Sequence, residues 1–199
     1  MIEALLAQLA TSPWALSILF VLVLGDAFLV LIPGEAAVVA MGALASATGV
    51  PPLGAVIAVT AVAAFLGDVG CYLIGRLTGL DRWRWMRGPR MQAAFGWARA
   101  RLDQRIGAVL FTARFVPFAR LAVNLTAGAS RLAIGRYLAV AAGAALAWAA
   151  YQSLAGAVIS MLVPGGTLVS VLTSIVVALA LGLAVDAVLS RRRRDRPTS

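Results

Sequence analysis

The 199-residue chain has no histidine, one cysteine and no lysine, so all 17 of its basic residues are arginine. Without histidine, HExxH metalloproteases, Ser–His intramembrane proteases and lipid phosphatases that work through a phosphohistidine are excluded. Cys71 alone excludes an intramolecular disulfide and a Cys-rich metal site. Arginine does not give up its proton inside a protein, so any proton handled in apolar surroundings must ride on a carboxylate. The N-terminal stretch "MIEALLAQLATSPW" has no basic region and carries Glu3, so it does not read as a cleaved signal peptide. Residues 1–13 are expected to form a short interfacial helix.

What is present is apolar. The composition is 62% hydrophobic and the mean hydropathy is +0.94, which places the chain among integral membrane proteins. The net charge of +9 does not point to nucleic acid, because the arginines cluster beside apolar spans. Eight lie within residues 76–105 and five in the tail "RRRRDR" at 191–196. That is the positive-inside signature of cytoplasmic segments that meet anionic inner-leaflet lipids.

A spanning helix needs about 20 apolar residues. The segments 54–80, 135–162 and 165–190 satisfy this, whereas 14–50 is cut by "PGE" and 106–130 is cut by Pro117. With the Arg-rich loop 82–105 and the tail 191–199 both cytoplasmic, 106–130 must enter and return on the same side. Re-entrant backbone of that kind is tolerated where it is buried in protein or faces water. The two halves correspond: Pro33 with Pro117, Tyr72 with Tyr151 and Gly75 with Gly156, at offsets of 84, 79 and 81 residues. The expected fold is an all-α integral membrane protein: a multi-pass helical bundle in one domain over 1–199, with two re-entrant hairpins (14–50 and 106–130) in an inverted repeat. Within 82–105, Met91, Ala94, Phe95, Ala98 and Leu102 fall at helical spacing, which predicts an amphipathic helix on the inner leaflet.

The chemistry lies where the apolar segments are interrupted. A charge at the bilayer centre costs about 2.5–3.5 kcal/mol on the lenient insertion scale. Yet Asp26 and Glu35 fall in the first broken segment, and Arg114, Arg120 and Asn124 in the second. Breaks at Pro33–Gly34 and Pro117 expose backbone N–H groups and positive dipole ends. Two guanidinium forks beside such ends suit a phosphate or another anion. Asp26 and Glu35 neutralise the arginines when the site is empty and can accept protons. Asp68, in "FLGDVGCYLIGR", is a further acid, or simply lies in a polar crevice with Tyr72. The bland reading is that these charges staple the two hairpins together. A pure staple, however, is replaced more favourably by packed apolar residues.

"PGE" after an upstream acid, "GDVGCYLIGRLTG" at 67–79, "ARFVPFARLAVNLTAGASRL" at 113–132 and Trp148 resemble the DedA family of VTT, or SNARE-associated, membrane proteins. The resemblance spans roughly residues 20–160. It departs at Asp26, where the family commonly has Glu, at Leu31, where it has proline, and at Phe118, where it has glycine. The resemblance implies a bacterial inner-membrane protein with two facing re-entrant hairpins. It implies movement of lipids between leaflets, notably undecaprenyl phosphate, and maintenance of proton-motive force. By motif position Asp26 and Glu35 match the family's paired acids, and Arg114 and Arg120 its essential arginines.

The leading expectation is a flippase, not an enzyme, for a phosphate-bearing lipid, either undecaprenyl phosphate or a phospholipid. Arg114, Arg120 and Asn124 bind the headgroup. Asp26, Glu35 and Asp68 couple its movement to protons. Pro33, Gly34 and Pro117 break the hairpins. No metal, cofactor or nucleic acid is expected, and a homo-oligomer is left open. The alternatives are a proton-coupled small-ion antiporter, a non-selective phospholipid scramblase and a structural factor.

Overall fold

A computed structural model describes residues 12, 14–29, 34–79, 84–114 and 117–162. Among them all regular structure is helical and no strand forms. The helices are α1 (Ala15–Asp26), α2 (Gly34–Thr48), α3 (Leu53–Thr78), a short 3-10 turn (Arg84–Arg87), α4 (Pro89–Ala113), α5 (Pro117–Ala129) and α6 (Ile134–Leu162). The expected interfacial helix at 1–13, the span 165–190, the tail 191–199 and Pro33 lie outside the described residues.

Helices α3 and α6, of 26 and 29 residues, are long and apolar enough to cross a membrane. At 1.5 Å per residue they reach about 39 and 44 Å, more than the ~30 Å of a bilayer's hydrocarbon core. Local sequence accounts for the ends. α4 and α5 each begin at a proline, whose missing N–H costs nothing in a first turn. α5 ends in a Schellman turn: Leu132 N–H reaches the Ala127 carbonyl at 3.1 Å and Arg131 N–H the Gly128 carbonyl at 2.9 Å. The left-handed position of that turn, usually glycine, is Arg131 at φ +53°. The Tyr72 hydroxyl ties the turn to α3 by donating to the Leu132 carbonyl at 2.6 Å.

The packing pairs are crossed. Helix α5 lies on α3, and α2 lies on α6. At the first crossing a Cβ on Gly75 would overlap the Leu125 carbonyl, and one on Gly128 the Tyr72 carbonyl. At the second, a Cβ on Gly156 would overlap the Val39 carbonyl, and one on Gly42 the Ser153 carbonyl. Glycine lets the backbones touch in both places, the small-residue packing usual in membranes. The crossings correspond residue for residue. A shift of 81 carries Tyr72 and Gly75 onto Ser153 and Gly156, and a shift of 86 carries Val39 and Gly42 onto Leu125 and Gly128. Between the two pairs, α3 and α6 meet through side chains. Ala63 and Ala64 pack with Ala145, Trp148 and Ala149, and Tyr72 stacks on Tyr137.

In two places the arrangement differs from the sequence reading. The boundary placed between 105 and 106 falls inside α4, which runs unbroken to Ala113 before α5 packs back along it. The arginines at 99, 101 and 105 interrupt hydropathy but not helix propensity. The stripe expected to rest on lipid is packed against protein instead. Met91 and Phe95 pack with Leu121 and Leu125, while Ala98 and Leu102 join Tyr72, Val123 and Tyr137.

Candidate functional site

Asp68 sits in the middle of α3, one turn before Tyr72 and two before Gly75, on the face that α5 crosses. Arg120 and Asn124 are four residues apart on α5, hence on one face of it, and the glycine crossing holds that face against Asp68. Arg114 reaches in from the end of α4, and Asp26 from the end of α1. Asp68, Arg114, Arg120 and Asn124 are all buried, at 3%, 3%, 7% and 2% exposure.

The Asp68 carboxylate receives three donors. Arg114 Nη2 donates to Oδ2. Arg120 Nε at 3.0 Å and Asn124 Nδ2 at 2.9 Å donate to Oδ1. Arg120 Nη1 donates to Asp26 Oδ2 at 3.2 Å. The Arg114 guanidinium also lies over the Trp148 ring, 5.7 Å from its centroid. Two carboxylates thus face two guanidinium groups, so the cluster is neutral. Buried charges need such mutual neutralisation to be tolerated at all. The satisfaction is incomplete, because Arg114 Nη1 and Arg120 Nη2 are buried with no acceptor among the described residues. The crevice beside them, between Leu110, Ala113, Val123 and the alanines of α6, is too narrow for a water molecule.

The sequence-derived residues do not all converge equally. Asp26, Asp68, Arg114, Arg120 and Asn124 form one bonded network. Asp68, ranked behind the other acids in the sequence, is its centre. Glu35, in the first turn of α2, is half-buried and near enough to Asp26 and Arg120 for their charges to act on it. It makes no ion pair among the described residues. Gly34 begins α2 against Asp26, where an added Cβ would lie 2.9 Å from the Asp26 Cβ. Pro117 begins α5. Among the described residues no three metal-ligating side chains come together.

One member was missed. The Tyr137 hydroxyl lies 2.9 Å from the Asp68 main-chain carbonyl and 3.0 Å from Asn124 Oδ1. From sequence, a tyrosine near a helix start reads as a headgroup anchor. Its burial at 0% exposure follows only from the packing of α6 on α3 and α4.

The described residues thus form a helical bundle with two helices long and apolar enough to cross a membrane and a buried cluster of paired charges. Residues 32–158 match the family model of the VTT domain, and the chain belongs to that family, the DedA family of membrane proteins. Comparison with curated proteins and with solved structures gives no match.

Proposed function

We propose that this protein is a transporter, not an enzyme, that moves a phosphate-bearing lipid between the leaflets of the bacterial inner membrane. Undecaprenyl phosphate is the leading substrate and a phospholipid the next. The observation that carries the reading is the pair of buried guanidinium nitrogens, Arg114 Nη1 and Arg120 Nη2, that lack an acceptor while their neighbours are held by carboxylates. A guanidinium left partly unpaired in a dry site is set up to donate to phosphate oxygens.

Asp68 and Asp26 then act as resident counter-ions. An arriving phosphate takes their place on Arg114 and Arg120, Asn124 keeps its hold on Asp68, and the crevice opens to admit the headgroup while the lipid tail stays outside. The displaced carboxylates, with Glu35 beside them, are the groups able to take up protons. That exchange would couple lipid movement to the proton gradient.

The matched glycine crossings support the view that α1–α2 and α4–α5 are re-entrant hairpins related as an inverted repeat, a recurrent transporter design. The arginine distribution supports a cytoplasmic location for 82–105 and for the C-terminus.

The test is leaflet exchange of a fluorescent polyprenyl phosphate in proteoliposomes, with and without a pH gradient. Wild type is compared with Glu35→Gln and Arg120→Ala. Exchange that needs both residues, and that a neutral-headgroup lipid does not share, is the expected result. Equal exchange of all lipids would make the protein a scramblase. Full exchange by Arg120→Ala would remove the phosphate site, and proton movement without lipid would favour small-ion antiport.

A further inference from the structure

We propose that Tyr137 is a positioning residue of the Asp68 cluster and acts through Asn124. This rests on the reading of that cluster as the phosphate site. The Tyr137 ring is fully buried and stacks on Tyr72 with centroids 4.2 Å apart and planes at 20°. Its hydroxyl therefore has little freedom, and it sits between two acceptors, the Asp68 main-chain carbonyl and Asn124 Oδ1. No other donor reaches Asn124 Oδ1 among the described residues.

The consequence concerns which way the Asn124 amide faces. With nitrogen forward it donates to Asp68 Oδ1 at 2.9 Å. With oxygen forward, two acceptors would meet. The phenol makes the first arrangement the satisfied one by supplying a donor to the oxygen that points away. Tyr137 also spans two elements, since it is on α6 while Asp68 and Asn124 are on the α3–α5 pair. The orientation of Asn124 therefore depends on α6 staying docked.

Asn124 matters most when a ligand binds. As the two guanidinium groups turn to a phosphate, Asn124 is the donor that remains on Asp68 and keeps its carboxylate from drawing the arginines back. Without the phenol the amide oxygen loses its donor and the hold of Asn124 on Asp68 loosens, so Asp68 leans more on Arg114 and Arg120, and the phosphate competes against a tighter resident.

The experiment is a double-mutant cycle of wild type, Tyr137→Phe, Asn124→Ala and the double variant. Phenylalanine keeps the ring stack and removes only the hydroxyl. Two quantities are read: the melting temperature of the ligand-free protein in detergent, and the half-saturating concentration of the fluorescent polyprenyl phosphate in exchange. Tyr137→Phe is expected to raise half-saturation about tenfold with the maximal rate retained, the scale of one lost hydrogen bond. In the Asn124→Ala background the same substitution is expected to change it less than about twofold, because the group it acts through is gone. Tyr137→Phe should lower the melting temperature, and by less in the Asn124→Ala background, where only the bond to the Asp68 carbonyl is left to lose. Equal effects in both backgrounds would mean that the hydroxyl acts independently of Asn124 and would overturn the proposal. Coupled melting temperatures with no exchange by the wild type would keep the positioning role and overturn the transport reading.

Discussion

At Asp68 three donors converge on one carboxylate, two of them guanidinium groups. Asp68→Asn removes the charge, leaving Arg114 with no carboxylate and Arg120 with Asp26 alone. Breaking a buried pair from one side typically costs about 3–5 kcal/mol, so this variant is expected to melt far below wild type in detergent. Asp26→Asn, at a more open position bonded to Arg120 alone, should cost about 1 kcal/mol in the same measurement. Arg114→Lys is expected to lose lipid exchange, because an ammonium cannot reach Asp68 and stack on Trp148 while offering a further planar donor. Most of these residues were legible in the sequence for one reason: an ionisable group in an apolar run is expensive enough to need a purpose. The Asp26–Arg120 pair agrees with the sequence reading; what the sequence did not reveal was the pairing at Asp68. Asp26 and Glu35 read as the arginines' partners, yet Asp68 is the hub, because the Gly75–Gly128 crossing places it opposite Arg120 and Asn124. Tyr137 carried no such signal, since a tyrosine costs little wherever it sits.

Two helix pairs, α3–α5 and α2–α6, touch through their backbones at glycine. Gly128→Leu and Gly156→Leu would drive a side chain into a facing carbonyl. Overpacking of this kind costs about 1–3 kcal/mol or more, so both variants should lose the monodisperse peak in size-exclusion chromatography. Gly143→Leu, on the exposed face of α6 with nothing within 4 Å, should keep it. Arg131→Gly offers the opposite sign. Its φ of +53° is a position glycine takes without strain, so the variant should gain about 1 kcal/mol, read as a higher melting temperature. Hydropathy marked α3 and α6 well because their apolar runs are continuous. It cut α4 in two because arginine on one face hides a helix whose other face is packed. Nineteen glycines are spread along the chain, and composition alone could not tell the crossing glycines from the idle ones.

Over the whole molecule, the proposed topology puts the loop at 82–105 and the C-terminus on one side. In a Cys71→Ala background, cysteines at Gly96 and Ser199 are expected to react with an impermeant reagent from the cytoplasmic side only. Labelling of the two from opposite sides would overturn that arrangement. At this scale the sequence carries the orientation proposal through its charge counts, but it could not show that the helices pair across the halves. That crossed pairing has a consequence for synthesis. Gly75 meets Leu125 after 50 further residues, whereas Gly42 must wait for Ser153, which follows 111 residues later. At ordinary translation speeds α2 spends about 6–20 s without the helix that holds it. A ribosome stalled after α3 would therefore strand an arm whose glycine face has nothing to close on. Neither half can close a crossing by itself, and both are closed only when α6 arrives.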